Sequence, residues 1–191
     1  MEGLNSFLSN IDRDFVKNVC INSGSLTRYK RNEYFLKAGE VSSYVGYVVK
    51  GAFRCKCTDQ AAGKEYSTCF VFEDEFVADY PACLYGISSG VAIQAVTCSE
   101  VYICESRELQ RQYGQTAETQ MKARVNAEQM LFYIYSRYLD IYRSTPEERY
   151  RELLKQNPGI LQILTLKEIA SYLKVTPTTV SNIRRKITFG G

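Results

Sequence analysis

Histidine is absent from the 191-residue chain. That removes Ser-His-Asp and Cys-His catalysis, together with the histidine-held metal centres of many β-barrel enzymes. No motif of Asp, Glu, Lys or Tyr takes over the role, so an enzyme is not expected. Long apolar runs are missing too: nowhere do 18 apolar residues follow one another. The opening MEGLNSFLSNIDRDF has neither a basic leader region nor an apolar one. The expectation is a cytoplasmic chain that neither spans a membrane nor is secreted.

Seven cysteines are present, an odd number, at Cys20, Cys55, Cys57, Cys69, Cys83, Cys98 and Cys104. Their mostly apolar neighbours predict reduced, buried thiols that act as small hydrophobes. Cys55 and Cys57 are the only close pair and would share one strand face. Without histidine and without a CxxC spacing, no metal and no cofactor are expected.

The rest of the composition is ordinary, 45% hydrophobic and 24% charged, with length for one sizeable core or two small domains. The net charge of +3 is unevenly placed. From Ser144 onward, eight Lys and Arg face four Glu, a local excess of +4, while the first 143 residues sum to −1. A basic module joined to a neutral one points to a polyanion as partner.

Between about Arg28 and Glu105 the chain reads as short strands with turns between them. YVGYVVKGAFRCKC, YSTCFVF, VAIQAV and EVYIC carry the β-branched and aromatic residues, and TDQAAGKE and YGISSG supply turns. That rhythm suggests a sandwich, roll or barrel. From Thr116 to Tyr142 no Gly or Pro interrupts the sequence, which predicts one long helix. Val125, Phe132 and Leu139 repeat every seven residues, as do Met121, Glu128, Tyr135 and Tyr142, and the two series form a seam for self-association. The alternative is a helix packed on its own domain. Next, Thr145, Pro146 and Glu148 open a helix with a capping box, Tyr150, Leu153 and Leu154 give it an apolar stripe, and Asn157-Pro158-Gly159 ends it. ILQI reads as a short connection.

EIASYLKVTPTTVSNIRRKI, residues 168–187, then joins two short helices. Thr165 and Glu168 form a capping box for the first, whose buried face is Leu166, Ile169, Ala170 and Leu173. Thr176 caps the second and Pro177 suits its first turn. Val180, Ile183 and Ile187 bury that helix, which leaves Thr178, Ser181, Asn182 and Arg185 pointing away at about 100° per residue. Thr179 and Lys186 flank this surface, and Arg184 lies nearer the core edge. A tight turn with interlocking apolar faces describes a helix-turn-helix. Arg, Asn and short hydroxyls suit base edges, while Lys and Arg suit phosphates. The helix start near Thr176 offers backbone N–H groups to a phosphate. At the turn, where Gly is usual, the residue is Lys174.

Taken in order, the β-rich region, long helix and helix-turn-helix resemble the Crp/Fnr family of bacterial transcription regulators over about residues 28–187. In the first part the likeness rests on YFLKAGE, GYVVKGAF, DQAAGKE and FEDEFV, with Gly39, Gly51 and Gly63 at matching turns and Asp74 in place of a fourth glycine. The resemblance implies an α+β fold: an antiparallel, cyclic-nucleotide-binding-like β-roll over 1–115, a dimerisation helix over 116–143, and a helix-turn-helix domain of winged-helix type over 144–191. It implies a homodimer joined through Met121, Val125, Phe132, Tyr135, Leu139 and Tyr142. It also implies a two-fold symmetric double-stranded DNA site, and RNA polymerase as a further partner. The DNA-contacting set expected is Thr165, Thr176, Thr178, Thr179, Ser181, Asn182, Arg184, Arg185 and Lys186.

The family's phosphate-binding cassette has Gly-Glu on a short helix and an Arg followed by Ser or Thr. In this chain Ala78-Asp79 stands at Gly-Glu, and Ser89-Gly90 stands at the Arg position. No Lys or Arg occurs between Asp74 and Val101. A phosphate there would lack its charge-assisted partner, which argues against cAMP unless Arg54 or Arg124 reaches in. The single N-terminal Cys20 does not supply the clustered cysteines of iron–sulfur relatives. An unidentified small effector, held by Asp79, Tyr80, Ser88, Ser89, Gln94 and Tyr133, is the expectation, and a pocket filled by side chains is its alternative. The rival reading of the whole chain is a ligand-binding module whose C-terminal helices bind a protein.

Overall fold

The computed structural model describes residues 13–189. The leader-region reading of the opening residues falls almost wholly outside them. Helix α1 (Arg13–Ser23) leads into β1 (Ser25–Tyr29), β2 (Tyr34–Leu36), β3 (Tyr44–Lys50), β4 (Phe53–Asp59), β5 (Lys64–Val71) and β6 (Phe76–Val77). Then follow α2 (Tyr80–Tyr85), β7 (Ala92–Ala95), β8 (Ser99–Glu105), α3 (Ser106–Tyr113) and the long α4 (Ala117–Arg143). The chain closes with α5 (Pro146–Gln156), α6 (Ile160–Ile163), α7 (Leu166–Tyr172) and α8 (Pro177–Phe189).

Two antiparallel sheets, ordered β1-β8-β3-β6 and β2-β7-β4-β5, face each other as a roll. Side chains alternate along each strand, so Phe53, Cys55, Ile93 and Ala95 enter the space between the sheets with Val48 and Val101. Arg54 and Gln94, one residue out of phase, therefore lie on the outer face. A second cluster packs α1, α2 and α3 against β3 and β8 through Cys20, Val45, Cys83 and Leu109. Gly51 turns β3 into β4 at φ +95°, where a Cβ would fall 2.3 Å from Ser99 Oγ. Asp74, at the fourth glycine position, takes φ +64° and is held there by Tyr47, whose hydroxyl donates to its carboxylate at 2.5 Å.

The ILQI connection is a single helical turn, α6. Ile160 N donates to Asn157 O, and Ile160 and Leu164 are both buried in the C-terminal core. The described residues from 144 to 189 contain no strand, so a wing is not among them.

The turn between α7 and α8 is a Schellman motif built on a lysine. Lys174 N donates to Ser171 O and Val175 N to Ala170 O, with Lys174 at φ +55°. An L-residue in that region costs about 1–2 kcal/mol, which glycine avoids at the expense of chain entropy. Lys174→Gly should therefore raise unfolding stability by about 0.5–1 kcal/mol, read as a higher urea midpoint at unchanged slope.

Candidate nucleic-acid interface and sensor cassette

The helix-turn-helix is built by its caps. Thr165 Oγ1 accepts from Glu168 N at 3.3 Å, and Thr165 N donates back to Glu168 Oε2 at 2.7 Å, which closes the α7 capping box. Thr176 Oγ1 accepts from Thr179 N at 3.1 Å and caps α8. Ile169, Ala170, Val180 and Ile183 interlock beneath. Opposite them Thr178, Ser181, Asn182 and Arg185 are exposed, and among the described residues these four make no side-chain hydrogen bond or ion pair. That surface is left for something else.

The other expected contacts are partly engaged. The hydroxyls of Thr165, Thr176 and Thr179 serve the caps. Lys186 Nζ pairs with Glu147 Oε2 at 3.0 Å, and Glu147 also takes Arg151 at 2.9 Å. Lys186, and then Arg151, hold the Glu147 carboxyl below its usual range. Arg184 is exposed beside the face.

α7 docks on the β-roll. β5 is an edge strand, and such an edge leaves backbone groups to be satisfied. Ser67 N donates to Ser171 Oγ at 2.9 Å across the gap. Arg54 Nη1 reaches Glu168 Oε1 at 3.3 Å, with only 23% and 12% of the two side chains exposed. The apolar core runs through this contact: Phe70, Phe72, Ala52 and Val96 join Tyr150, Ile169 and Leu173 in one cluster. Phe70 and Tyr172 have ring centroids 5.1 Å apart.

The six residues expected to hold an effector do not converge. Asp79 and Ser89 come together, the buried Ser89 hydroxyl donating to Asp79 Oδ2 at 2.6 Å. Gln94 lies on the outer face, where its Oε1 accepts from Arg54 Nη2 at 2.8 Å and its Nε2 donates to Asn32 O at 2.9 Å. Tyr80 packs against the α1 and α3 cluster, and Ser88 is exposed in a bridge to Val41. Tyr133 faces Arg137. Neither suggested arginine supplies the cassette cation: Arg54 is bound to Gln94 and Glu168, and exposed Arg124 pairs with Glu128 on its own helix.

A different arginine, absent from the sequence reading, organises the centre of the molecule. Arg137 Nη1 donates to Thr68 O of β5 at 3.0 Å, and its guanidinium lies 4.1 Å from the Tyr172 ring centre and 5.8 Å from that of Tyr133. It thus joins α4, β5 and α7. Burial pushes both tyrosine hydroxyls above their ordinary range. The available signal was helical: Arg137 follows Tyr133 by four residues, on the same face.

α4 turns a broad apolar face outward, and none of its residues is fully buried. Met121, Phe132, Tyr135 and Tyr142 of the expected seam are exposed, whereas Val125 and Leu139 are half-buried at its margin. Leu131, Ile134, Tyr138 and Ile141, outside the expected seam, are each more than half exposed. The stripe is rotated toward Leu131 and Tyr138 relative to the expected one.

No protein-family model and no curated protein sequence matches the chain. Solved structures do. FixK2 from Bradyrhizobium japonicum superposes with a TM-score of 0.73 at 19% identity, covering 88% of this chain and 89% of that one. The c-di-GMP-responsive global regulator CLP of Xanthomonas campestris gives 0.68 at 12% identity, over 93% and 92% of the two chains. A chain from Eubacterium rectale described as a Crp/Fnr-family transcriptional regulator gives 0.69 at 12%, over 98% and 88%. The β-roll, the long helix and the helix-turn-helix of this protein together make the Crp/Fnr-type fold.

Proposed function

We propose that the chain is a homodimeric, sequence-specific DNA-binding transcription regulator of the cytoplasm, with a sensor unit over 1–115, a dimerisation helix over 116–143 and a DNA-binding unit over 144–191. The observation that carries this reading is the α8 face of Thr178, Ser181, Asn182 and Arg185, exposed and, among the described residues, without internal partners. Such side chains read base edges in a major groove, and the surrounding basic residues set register on phosphates. Two copies joined along α4 read two half-sites about 34 Å apart on one face of the duplex. Bound there, the dimer acts on transcription through RNA polymerase.

The effector is a small molecule other than a cyclic nucleotide. A serine, Ser89, stands where a cyclic phosphate needs a guanidinium, and its hydroxyl is already given to the Asp79 carboxylate. A charged hydrogen bond is worth about 1.5–3 kcal/mol, so its loss removes roughly one to two decades of affinity.

Selection of binding sites from random duplex DNA at fixed salt, with and without cAMP, tests both statements. A palindrome recovered equally in both conditions is the expected result. Recovery only with cAMP would overturn the effector reading. Binding without sequence selection in either condition would leave two readings, an effector missing from the assay or a protein-binding role for the C-terminal helices.

A further inference from the structure

Cys55 and Cys69 are directly opposed on the antiparallel strands β4 and β5. Opposed positions have Cα atoms about 4.5–5.5 Å apart, inside the about 4.4–6.8 Å over which a disulfide closes without backbone movement. A bulge follows at Cys55/Lys56, so Cys57 pairs with Tyr66 instead. The pair points into the inter-sheet core, with Cys55 only 5% exposed and Cys69 half-buried. The Arg137 guanidinium is bound to the carbonyl of Thr68, the residue that precedes Cys69.

From this cluster of two thiols and one cation we propose that Cys69 and Cys55 form a peroxide-reactive site, in which a hydroperoxide converts the dithiol to a cross-strand disulfide. Cys69 is the attacking group, because it is the more exposed of the two and follows directly on the Thr68 carbonyl that Arg137 holds. The Cys55 thiol, and after it Arg137 and the Cys55 backbone amide, hold the Cys69 thiol below its ordinary range, against burial and Glu75, which act the other way. Cys55 is shifted up in turn, chiefly by its hydrogen bond to Cys69 and by burial. A lowered thiol beside an arginine is the environment of reactive cysteines.

The Cys69 thiolate attacks the terminal oxygen of the hydroperoxide; an S–O bond forms and the O–O bond breaks. The departing alkoxide takes up the proton that Cys69 gave up and leaves as alcohol, or as water when the oxidant is hydrogen peroxide. Cys69 is now a sulfenic acid, oxidised by two electrons. Cys55 then attacks that sulfur; the S–S bond forms, the S–O bond breaks, and the Cys55 proton leaves with the hydroxide as water. Arg137 stabilises first the thiolate and then the charge on the departing oxygen.

The other thiols lack this combination. Cys20 and Cys104 have sulfurs 3.5 Å apart but are fully enclosed, at 0% and 2% exposure. Cys98 is exposed and has no facing thiol among the described residues. A disulfide at 55–69 removes the Cys69 thiol next to the Thr68 carbonyl that Arg137 holds, where α4, β5 and α7 meet. Only that consequence for the helix-turn-helix rests on the reading of the chain as a DNA-binding regulator.

The test uses the reduced full chain and hydrogen peroxide, followed by alkylation and peptide mass spectrometry. Two of the seven thiols should be lost, in a linked peptide pair holding Cys55 and Cys69. Cys55→Ser should stop at a sulfenic acid on Cys69 that a dimedone-type nucleophile traps. Arg137→Gln should slow disulfide formation by about three- to tenfold through the smaller thiolate fraction, and Arg137→Lys should recover most of the rate. Circular dichroism checks that each variant is folded. Alkylation of Cys55 and Cys69 at a dose that oxidises Cys98, or a link at Cys20–Cys104 in their place, would overturn the proposal. The thiol map needs no DNA, so a protein that oxidises as expected but selects no operator would overturn only the regulator reading.

Discussion

Arg185→Ala is expected to weaken binding to the selected operator by at least about 30-fold, with the melting curve unchanged. One bidentate Arg–guanine contact is worth about 1–3 kcal/mol of discrimination. In a two-fold dimer each substitution occurs twice, so the loss is about 2–6 kcal/mol if the two half-sites act independently. Arg185 is exposed opposite Val180 and Ile183, and among the described residues its side chain has no hydrogen-bond or ion-pair partner. Specificity should relax at one base pair per half-site, visible as a flattened position in the selected sequence. Lys186→Ala is the informative contrast. Lys186 is held by Glu147, so its loss should reduce affinity less, uniformly across sequences, and lower the salt slope by about 1 per phosphate contact removed. An unchanged affinity and an unchanged site for Arg185→Ala would rule out α8 as the reading helix.

Placing charge in the exposed stripe of α4 should have the second large effect. Leu131 and Tyr138 lie one heptad apart and are 68% and 53% exposed. Side chains of this kind contribute about 1.5–3 kcal/mol each when buried, and a dimer buries them from both protomers. Leu131→Glu with Tyr138→Glu should therefore give a monomer at micromolar concentration by analytical ultracentrifugation. Operator affinity should fall by more than about 100-fold, because one half-site must then bind alone. Val125→Glu tests the phase of the seam: Val125 is half-buried at its margin, and this change should weaken the dimer less. A double variant that remains a dimer would place the interface elsewhere.

These two surfaces were not equally legible in the sequence. The helix-turn-helix could be read closely because its signals are local: a capping box at Thr165, an N-cap at Thr176, apolar spacing over four or seven residues, and a turn that demands one residue at positive φ. Even the substitution of Lys174 for glycine kept its place. The phase of the α4 stripe was not readable in that way. One face of the helix meets its own domain through Tyr133 and Arg137 while another meets solvent, and a seven-residue repeat of apolar residues does not say which is which. Gln94 could have been assigned to the outer face from the alternation of Ile93 and Ala95. Sequence distance pairs Cys55 with Cys57, whereas strand register sets it against Cys69. Register and interdomain contacts such as Arg137 with Tyr172 are non-local, and nothing in a single stretch of sequence encodes them.

The shared core beneath α7 sets a threshold for switching. Undocking the helix-turn-helix from β5 would return Phe70 and Phe72 to water, at about 1.5–3 kcal/mol for each ring. The pair alone favours the docked state by about 3–6 kcal/mol, before the Arg54–Glu168 contact is counted. Any molecule that frees the C-terminal helices must therefore prefer the undocked conformation by roughly 10²- to 10⁴-fold in affinity. A ligand that binds tightly but equally to both arrangements would leave the equilibrium where it stands.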